Sequence, residues 1–122
     1  MKLSPHFDSA EFKCRCCDYG TNPGDVSDEL LVALEDLRAH FGGHPVVLNS
    51  GCRCKAHNAA VGGASSSQHL LGTAADLNVS RQSPKTVADY LSGKYPGKYG
   101  VGRYQSFTHL DVRRNKARWG NN

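Results

Sequence analysis

The run 67–76, Ser-Gln-His-Leu-Leu-Gly-Thr-Ala-Ala-Asp, constrains this chain more than any other stretch. It places His69 and Asp76 seven residues apart with Gly72 between them. A third polar side chain, His109, stands late in the sequence within Phe-Thr-His-Leu-Asp-Val. Two imidazoles and one carboxylate can hold a zinc ion and leave one coordination position open to solvent. That is the plan of a catalytic zinc site rather than a structural one.

Spacing dictates the local fold. Seven residues advance a straight helix by about 10.5 Å and an extended strand by about 23 Å, so neither lets His69 and Asp76 share an ion. The chain must turn between them, and Gly72 is the residue that takes a positive φ without steric penalty. Beyond the turn, Ala74-Ala75-Asp76-Leu77-Asn78-Val79 alternates as a short strand does, with Asp76 and Asn78 on one face and Ala75, Leu77 and Val79 on the other. In the segment 107–112 the same period groups Phe107, His109 and Asp111, opposite Thr108, Leu110 and Val112. This predicts a sheet with one face toward a cleft.

Several residues in order carry a family resemblance: Ser50-Gly51-Cys52-Arg53-Cys54, Asn58-Ala59-Ala60-Val61-Gly62-Gly63-Ala64, Ser67-Gln68-His69, Gly72, Ala74 and Asp76. Together they closely resemble the zinc D-Ala-D-Ala peptidases. The late His109-Leu110-Asp111 is similar to the branch found in small bacterial and phage murein peptidases. The resemblance runs over about 4–119, and its specificity lies in the ordered combination of the three motifs. It implies an α+β fold of the hedgehog/DD-peptidase type, a small antiparallel sheet with helices packed on one side. It also implies zinc ligands at His69, Asp76 and His109, a substrate-holding arginine at Arg53, and Ser67 as the serine preceding the first ligand. The implied activity is zinc-dependent hydrolysis of peptide bonds in peptidoglycan stem peptides or cross-links, of D-Ala carboxypeptidase or endopeptidase type, as in an endolysin.

One departure stands out. Many relatives carry a catalytic base three or two residues before the last ligand, where this chain has Ser106 and Phe107. Asp111 is the nearest carboxylate. It could accept a proton from water, or orient a ligand imidazole. The missing base also leaves open a zinc-containing wall-binding module without catalysis.

A length of 122 residues fits one domain, 1–122, expected to be monomeric. No apolar run approaches the roughly 20 residues of a membrane span. The opening Met1-Lys2-Leu3-Ser4-Pro5-His6 lacks the apolar core of a signal peptide, so the expectation is synthesis in the cytoplasm and action on the wall after lysis or from a virion. The net charge of +4 is concentrated at Arg113, Arg114, Lys116 and Arg118, which reads as a solvated basic end. An anionic polymer such as cell wall is the alternative partner. Nucleic acid is not expected, for want of a recognition motif.

Five cysteines fall into two groups, Cys14, Cys16 and Cys17, then Cys52 and Cys54. Three states compete: reduced core thiols, a disulfide tying the N-terminal segment to the Arg53 loop, or a second, cysteine-held structural zinc. Cys14-x-Cys16 is tighter than the usual zinc knuckle, and Cys16-Cys17 is too close to bridge easily. A rival reading of the whole chain makes it a cysteine-rich structural domain with its metal on those thiols.

Of the remaining elements, 4–13 resembles the short docking segment that opens this family, with Phe7 and Phe12 as its anchors. Residues 14–26 form a loop broken by Gly20, Asn22, Pro23 and Gly24. A helix over 28–41 has Ser27 as N-cap, Gly42 as stop and a stripe of Leu30, Leu34, Leu37 and Phe41. Segment 45–49 reads as a buried strand, 57–61 as a helical turn and 62–66 as a flexible rim. A second helix spans 84–91 with Ser83 as cap and Val87, Tyr90 and Leu91 inward. Segments 100–104 and 107–113 form a hairpin turning at Gln105-Ser106. His6, His40 and His44 have no partner at ligand spacing and read as surface or capping residues; His57, near Arg53 in sequence, reads as a structural histidine, with a place lining the pocket as the alternative.

Overall fold

The computed structural model describes residues 1–22 and 24–120; Pro23, one of the expected loop breakers, lies outside them. The N-terminal segment forms β1 (Lys2–Ser4), β2 (Phe7–Asp8) and the single turn α1 (Ser9–Phe12). Asp8 and Glu11 close a reciprocal capping box on α1. Phe7 and Phe12 are the anchors expected, at 1% and 0% exposure. An irregular segment leads to α2 (Asp28–His40). The Ser27 Oγ accepts the Leu30 N–H at 3.4 Å, and Asp28 and Glu29 place negative charge on the first turn. The leucines of α2 form the buried stripe.

The remaining elements are β3 (Val46–Ser50), α3 (Lys55–Ala60), a 3-10 turn (Gln68–Leu71), β4 (Ala74–Val79), α4 (Pro84–Lys94), β5 (Gly100–Arg103), β6 (Thr108–Asp111) and β7 (Ala117–Gly120). The sheet order is β3-β4-β6-β5-β7. All neighbours are antiparallel except β5 and β7, which run parallel. The fold is therefore α+β with a small sheet, as expected, but the sheet is mixed at one edge. Ala75, Leu77, Val79, Val101, Leu110 and Val112 join the α2 leucines and Val87, Ala88 and Leu91 of α4 in one apolar cluster. Two buried-end tyrosines tie the helices down: Tyr99 donates to Glu29 and Tyr90 to Asp36, both at 2.6 Å.

Three expectations change. Strand β3 is not buried: it is the sheet's other edge, Val47 is 54% exposed, and its residues alternate between core and solvent. Helix α4 runs a turn past Leu91, because Gly93 keeps a negative φ and the helix closes with the Tyr95 N–H on the Leu91 carbonyl at 3.0 Å. The basic end is not simply solvated. Arg118 donates to the carbonyls of Tyr99, Tyr95, Lys98 and Ala117, which fastens β7 to the sheet. No helix among the described residues is long and apolar enough to cross a membrane.

Candidate metal centre

His69 lies in the 3-10 turn, where Ser67 acts as cap and its Oγ accepts the His69 N–H at 3.2 Å. Gly72 ends the turn at φ +69 and the chain reverses into β4. This is the turn that the spacing of His69 and Asp76 demanded. His109 arrives on β6, where it is the direct cross-strand partner of Asp76. Directly opposed residues project to the same face, with Cβ atoms about 5 Å apart.

One donor atom each from His69, Asp76 and His109 lies within 4.8 Å of the others. The Asp76 carboxylate stands between the two rings, Oδ1 2.8 Å from His109 Nδ1 and Oδ2 3.2 Å from His69 Nε2. The second contact is not aligned as a hydrogen bond. The buried His69 Nε2 has no hydrogen-bond partner among the described residues. A buried polar atom without a partner demands a cause, and here a cation between the three groups would supply it.

The far side of each ring is engaged. His69 Nδ1 donates to the Gly51 carbonyl at 2.6 Å, which turns Nε2 toward Asp76. His109 Nε2 lies 2.7 Å from Asp111 Oδ2, which leaves Nδ1 toward Asp76. Metal-binding histidines hold their second nitrogen in this way, on a carbonyl or a carboxylate. Two nitrogens and one carboxylate oxygen are a donor set that suits zinc.

Asp111 lies behind His109 at 0% exposure. Its Oδ1 accepts from the Gly100 and Arg113 backbone N–H groups, both at 3.2 Å, and from Arg113 Nε at 2.7 Å; its Oδ2 accepts from Arg113 Nη2 at 2.7 Å. Glycine at 100 permits this approach, since a Cβ there would collide with both carboxylate oxygens. Neither oxygen opens onto solvent, so the general-base role considered for Asp111 lacks a path to a proton in the cleft. The orienting role fits. Asp111→Asn is expected to lower zinc affinity or activity about 10- to 100-fold. Competition against a chromophoric chelator measures the affinity, and an unchanged value would show that His109 needs no such support.

The charges are strongly coupled. Burial alone would raise the Asp76 carboxyl, but the hydrogen bond from His109 and the nearby His69 ring hold it well below the usual carboxylate range. Burial likewise opposes ionisation of Asp111, and His109 and Arg113 outweigh it. For His109 burial disfavours the imidazolium, yet Asp111 and Asp76 raise its pKa above the ordinary value. Both carboxylates thus favour positive charge at this point, which is the charge a bound cation would supply.

His69, Asp76 and His109 line a cleft of about 540 Å³ that Arg53, Ser67 and the rim residues Gly62, Gly63 and Ala64 also border. Arg53 is held through its backbone, its N–H donating to the His69 carbonyl at 3.0 Å. Its buried Nε has no hydrogen-bond partner among the described residues. Asn58 ties the rim down, its Nδ2 donating to the Ala64 carbonyl at 2.8 Å.

Residues 5–111 match the model of the Peptidase M15 family. The chain belongs to the peptidase M15 family. It is 43% identical over 73 residues to the zinc D-Ala-D-Ala carboxypeptidase of Streptomyces albus G, a match covering 52% of this chain and 29% of that protein. The chain thus spans under a third of the length of the curated relative it matches.

Some residues of the M15 cleft escaped sequence reasoning. Trp119 packs against His109 with ring centroids 5.1 Å apart, and its Nε1 donates to the Tyr104 hydroxyl at 2.8 Å. Tyr104 stacks on Phe107 at 4.4 Å, completing an aromatic wall. Arg113, read as part of a solvated tail, lies 5.3 Å from the Trp119 ring while it grips Asp111. The signal was present only for Phe107, which shares the strand face of His109. The other histidines stay outside the M15 cleft: His6 pairs with Glu35 at 2.7 Å, His40 stacks on Tyr90 at 3.7 Å, and His57 borders a neighbouring hollow.

Proposed function

We propose that this M15 chain is a zinc metallopeptidase that hydrolyses peptide bonds in peptidoglycan stem peptides or cross-links. The observation that carries the reading is the convergence of His69, Asp76 and His109 around the unpartnered His69 Nε2, within a cleft that Arg53 borders. Zinc held there supplies Lewis acidity, acidifying a water and polarising a scissile carbonyl. The protein's own groups do the rest. Asp111 and the Gly51 carbonyl fix the ligand rings, and the wall of Tyr104, Phe107 and Trp119 flanks the substrate. Arg53 presents planar paired donors to a substrate carboxylate or to the oxygen that gains charge as the carbonyl is attacked.

The name of the Streptomyces albus G relative, a zinc D-Ala-D-Ala carboxypeptidase, supports a D-Ala-containing substrate. Release by lysis, as a phage or bacterial wall hydrolase, is the setting in which a chain of this kind reaches its substrate. Protein loaded with zinc and incubated with bacterial sacculi is expected to release new amine termini, and mass spectrometry of the muropeptides identifies the bond cut. Arg53→Lys retains the charge and loses the fork. A charged hydrogen bond is worth about 1.5–3 kcal/mol, so kcat/KM should fall roughly 10- to 150-fold. An unchanged kcat/KM would remove Arg53 from substrate contact.

A second reading has one observation in its favour. Ser106 and Phe107 stand where relatives carry a base, and Asp111 is sealed from the cleft. A zinc-containing wall-binding module without catalysis would bind sacculi and liberate no amines.

A further inference from the structure

We propose that Cys14, Cys16, Cys17 and Cys54 form a second zinc site, a tetrathiolate that is structural and separate from the His69, Asp76 and His109 group. The four sulfurs lie within 4.8 Å of one another. Cys14 Sγ is 3.8 Å from both Cys16 Sγ and Cys54 Sγ, and Cys16 and Cys54 are 3.2 Å apart. Tetrahedral zinc with Zn–S bonds of about 2.3 Å sets its sulfurs about 3.8 Å apart. A disulfide would draw one pair to about 2.05 Å and leave the other two thiols without a role.

The backbone supports sulfurs that carry negative charge. The Cys54 N–H donates to Cys14 Sγ, and the His57 N–H to Cys54 Sγ, each at 3.4 Å. Such bonds from N–H groups are the outer support that metal ligands characteristically receive. The tight Cys14-x-Cys16-Cys17 spacing is accommodated because the chain bends continuously there and wraps three ligands around one point. The fourth comes from the loop before α3. Lys13, Arg15, Arg53 and Lys55 flank the ligands in sequence. Cys52 takes no part: it is buried in the core, its Sγ faces the Asp25 carbonyl at 3.8 Å, and burial pushes its thiol up to about 12.

Binding is a substitution without redox change. Each of the four thiols gives up its proton to solvent as its sulfur bonds the cation. The consequence falls on the cleft. Cys54 follows Arg53, the Cys52 N–H donates to the Phe12 carbonyl at 2.8 Å, and the Arg53 N–H donates to the His69 carbonyl at 3.0 Å. A cation joining 14–17 to Cys54 therefore clamps the Arg53 loop between the N-terminal segment and the ligand turn. This site stands whether or not the chain is a peptidase.

The test is zinc stoichiometry on protein purified with a reductant, by elemental analysis and native mass spectrometry. Wild type should carry about two zinc ions per chain, one per ligand group. The Cys16→Ser/Cys17→Ser pair should keep the one held by the histidines, and His69→Ala/His109→Ala the one held by cysteine. Cobalt substitution should give an intense sulfur-to-cobalt absorption in wild type and in the histidine variant, absent from the cysteine variant. Should the cysteine variant fail to fold, mercurial titration of native wild type decides. Modification of four of its five thiols should release one zinc to a metallochromic dye. A single zinc in wild type that His69→Ala/His109→Ala abolishes would overturn the proposal. So would iron in place of zinc, or an intact mass two hydrogens lighter from a disulfide. Loss of wall hydrolysis with two zinc ions still bound would count against the peptidase reading alone.

Discussion

His69→Ala is expected to empty the histidine-aspartate group of its ion and to lower peptide-bond cleavage by more than about 10³-fold. A metal Lewis acid contributes several kcal/mol of transition-state charge stabilisation, and each 1.36 kcal/mol is a factor of ten in rate. Two ligands would remain, Asp76 and His109, already within 2.8 Å of each other and able to satisfy one another without a cation. The Gly51 carbonyl would lose its donor as well. Metal content and kcat/KM on a cross-linked muropeptide are the measurements, with circular dichroism to confirm that the fold persists. Cleavage that survives both this substitution and a strong chelator would remove zinc from the reaction.

Gly72→Ala is expected to destabilise the fold strongly. At φ +69 an L side chain is strained by about 1–2 kcal/mol. A Cβ at this position would also overlap the Asp25 carbonyl oxygen, which is backbone and has little freedom to withdraw. The Gly72 carbonyl accepts the Ser27 N–H at 2.9 Å, at the mouth of α2, so displacement would spread to that helix. A loss of about 3 kcal/mol or more is expected, large against the 5–15 kcal/mol typical of a domain. Chemical denaturation measures it. Because the same turn delivers His69, zinc affinity should fall with it; a stable Gly72→Ala protein with full affinity would show that the turn tolerates another backbone path.

The approach of His69 to Asp76 was legible because its logic is local. His69 and Asp76 could meet only through a turn at Gly72, and strand period placed His109 and Asp111 on one face. Helices α2 and α4 announced themselves through Ser27, Ser83 and Pro84. What the chain concealed depends on distant partners. Strand β7 is four residues without apolar alternation, and it exists because β5 offers a parallel edge and Arg118 finds carbonyls across the loop. Edge position, not composition, exposes Val47. The period of β6 gave the direction of Asp111 but not its depth, which depends on Gly100 of the neighbouring strand. The fourth sulfur of the cysteine group is beyond any spacing rule, since Cys54 is brought to Cys14 by the path of the whole N-terminal half.

The in-register opposition of Asp76 and His109 makes the ion a reporter of correct strand alignment. Sliding β6 by a single residue past β4 would exchange the imidazole for Thr108 or Leu110 and bury the ligand on the apolar side. Variation in length is therefore more tolerable for strand register at the turn, 105–106, than within either strand. A protein with one residue inserted into β6 should fold, if at all, into something that no longer recognises a divalent cation.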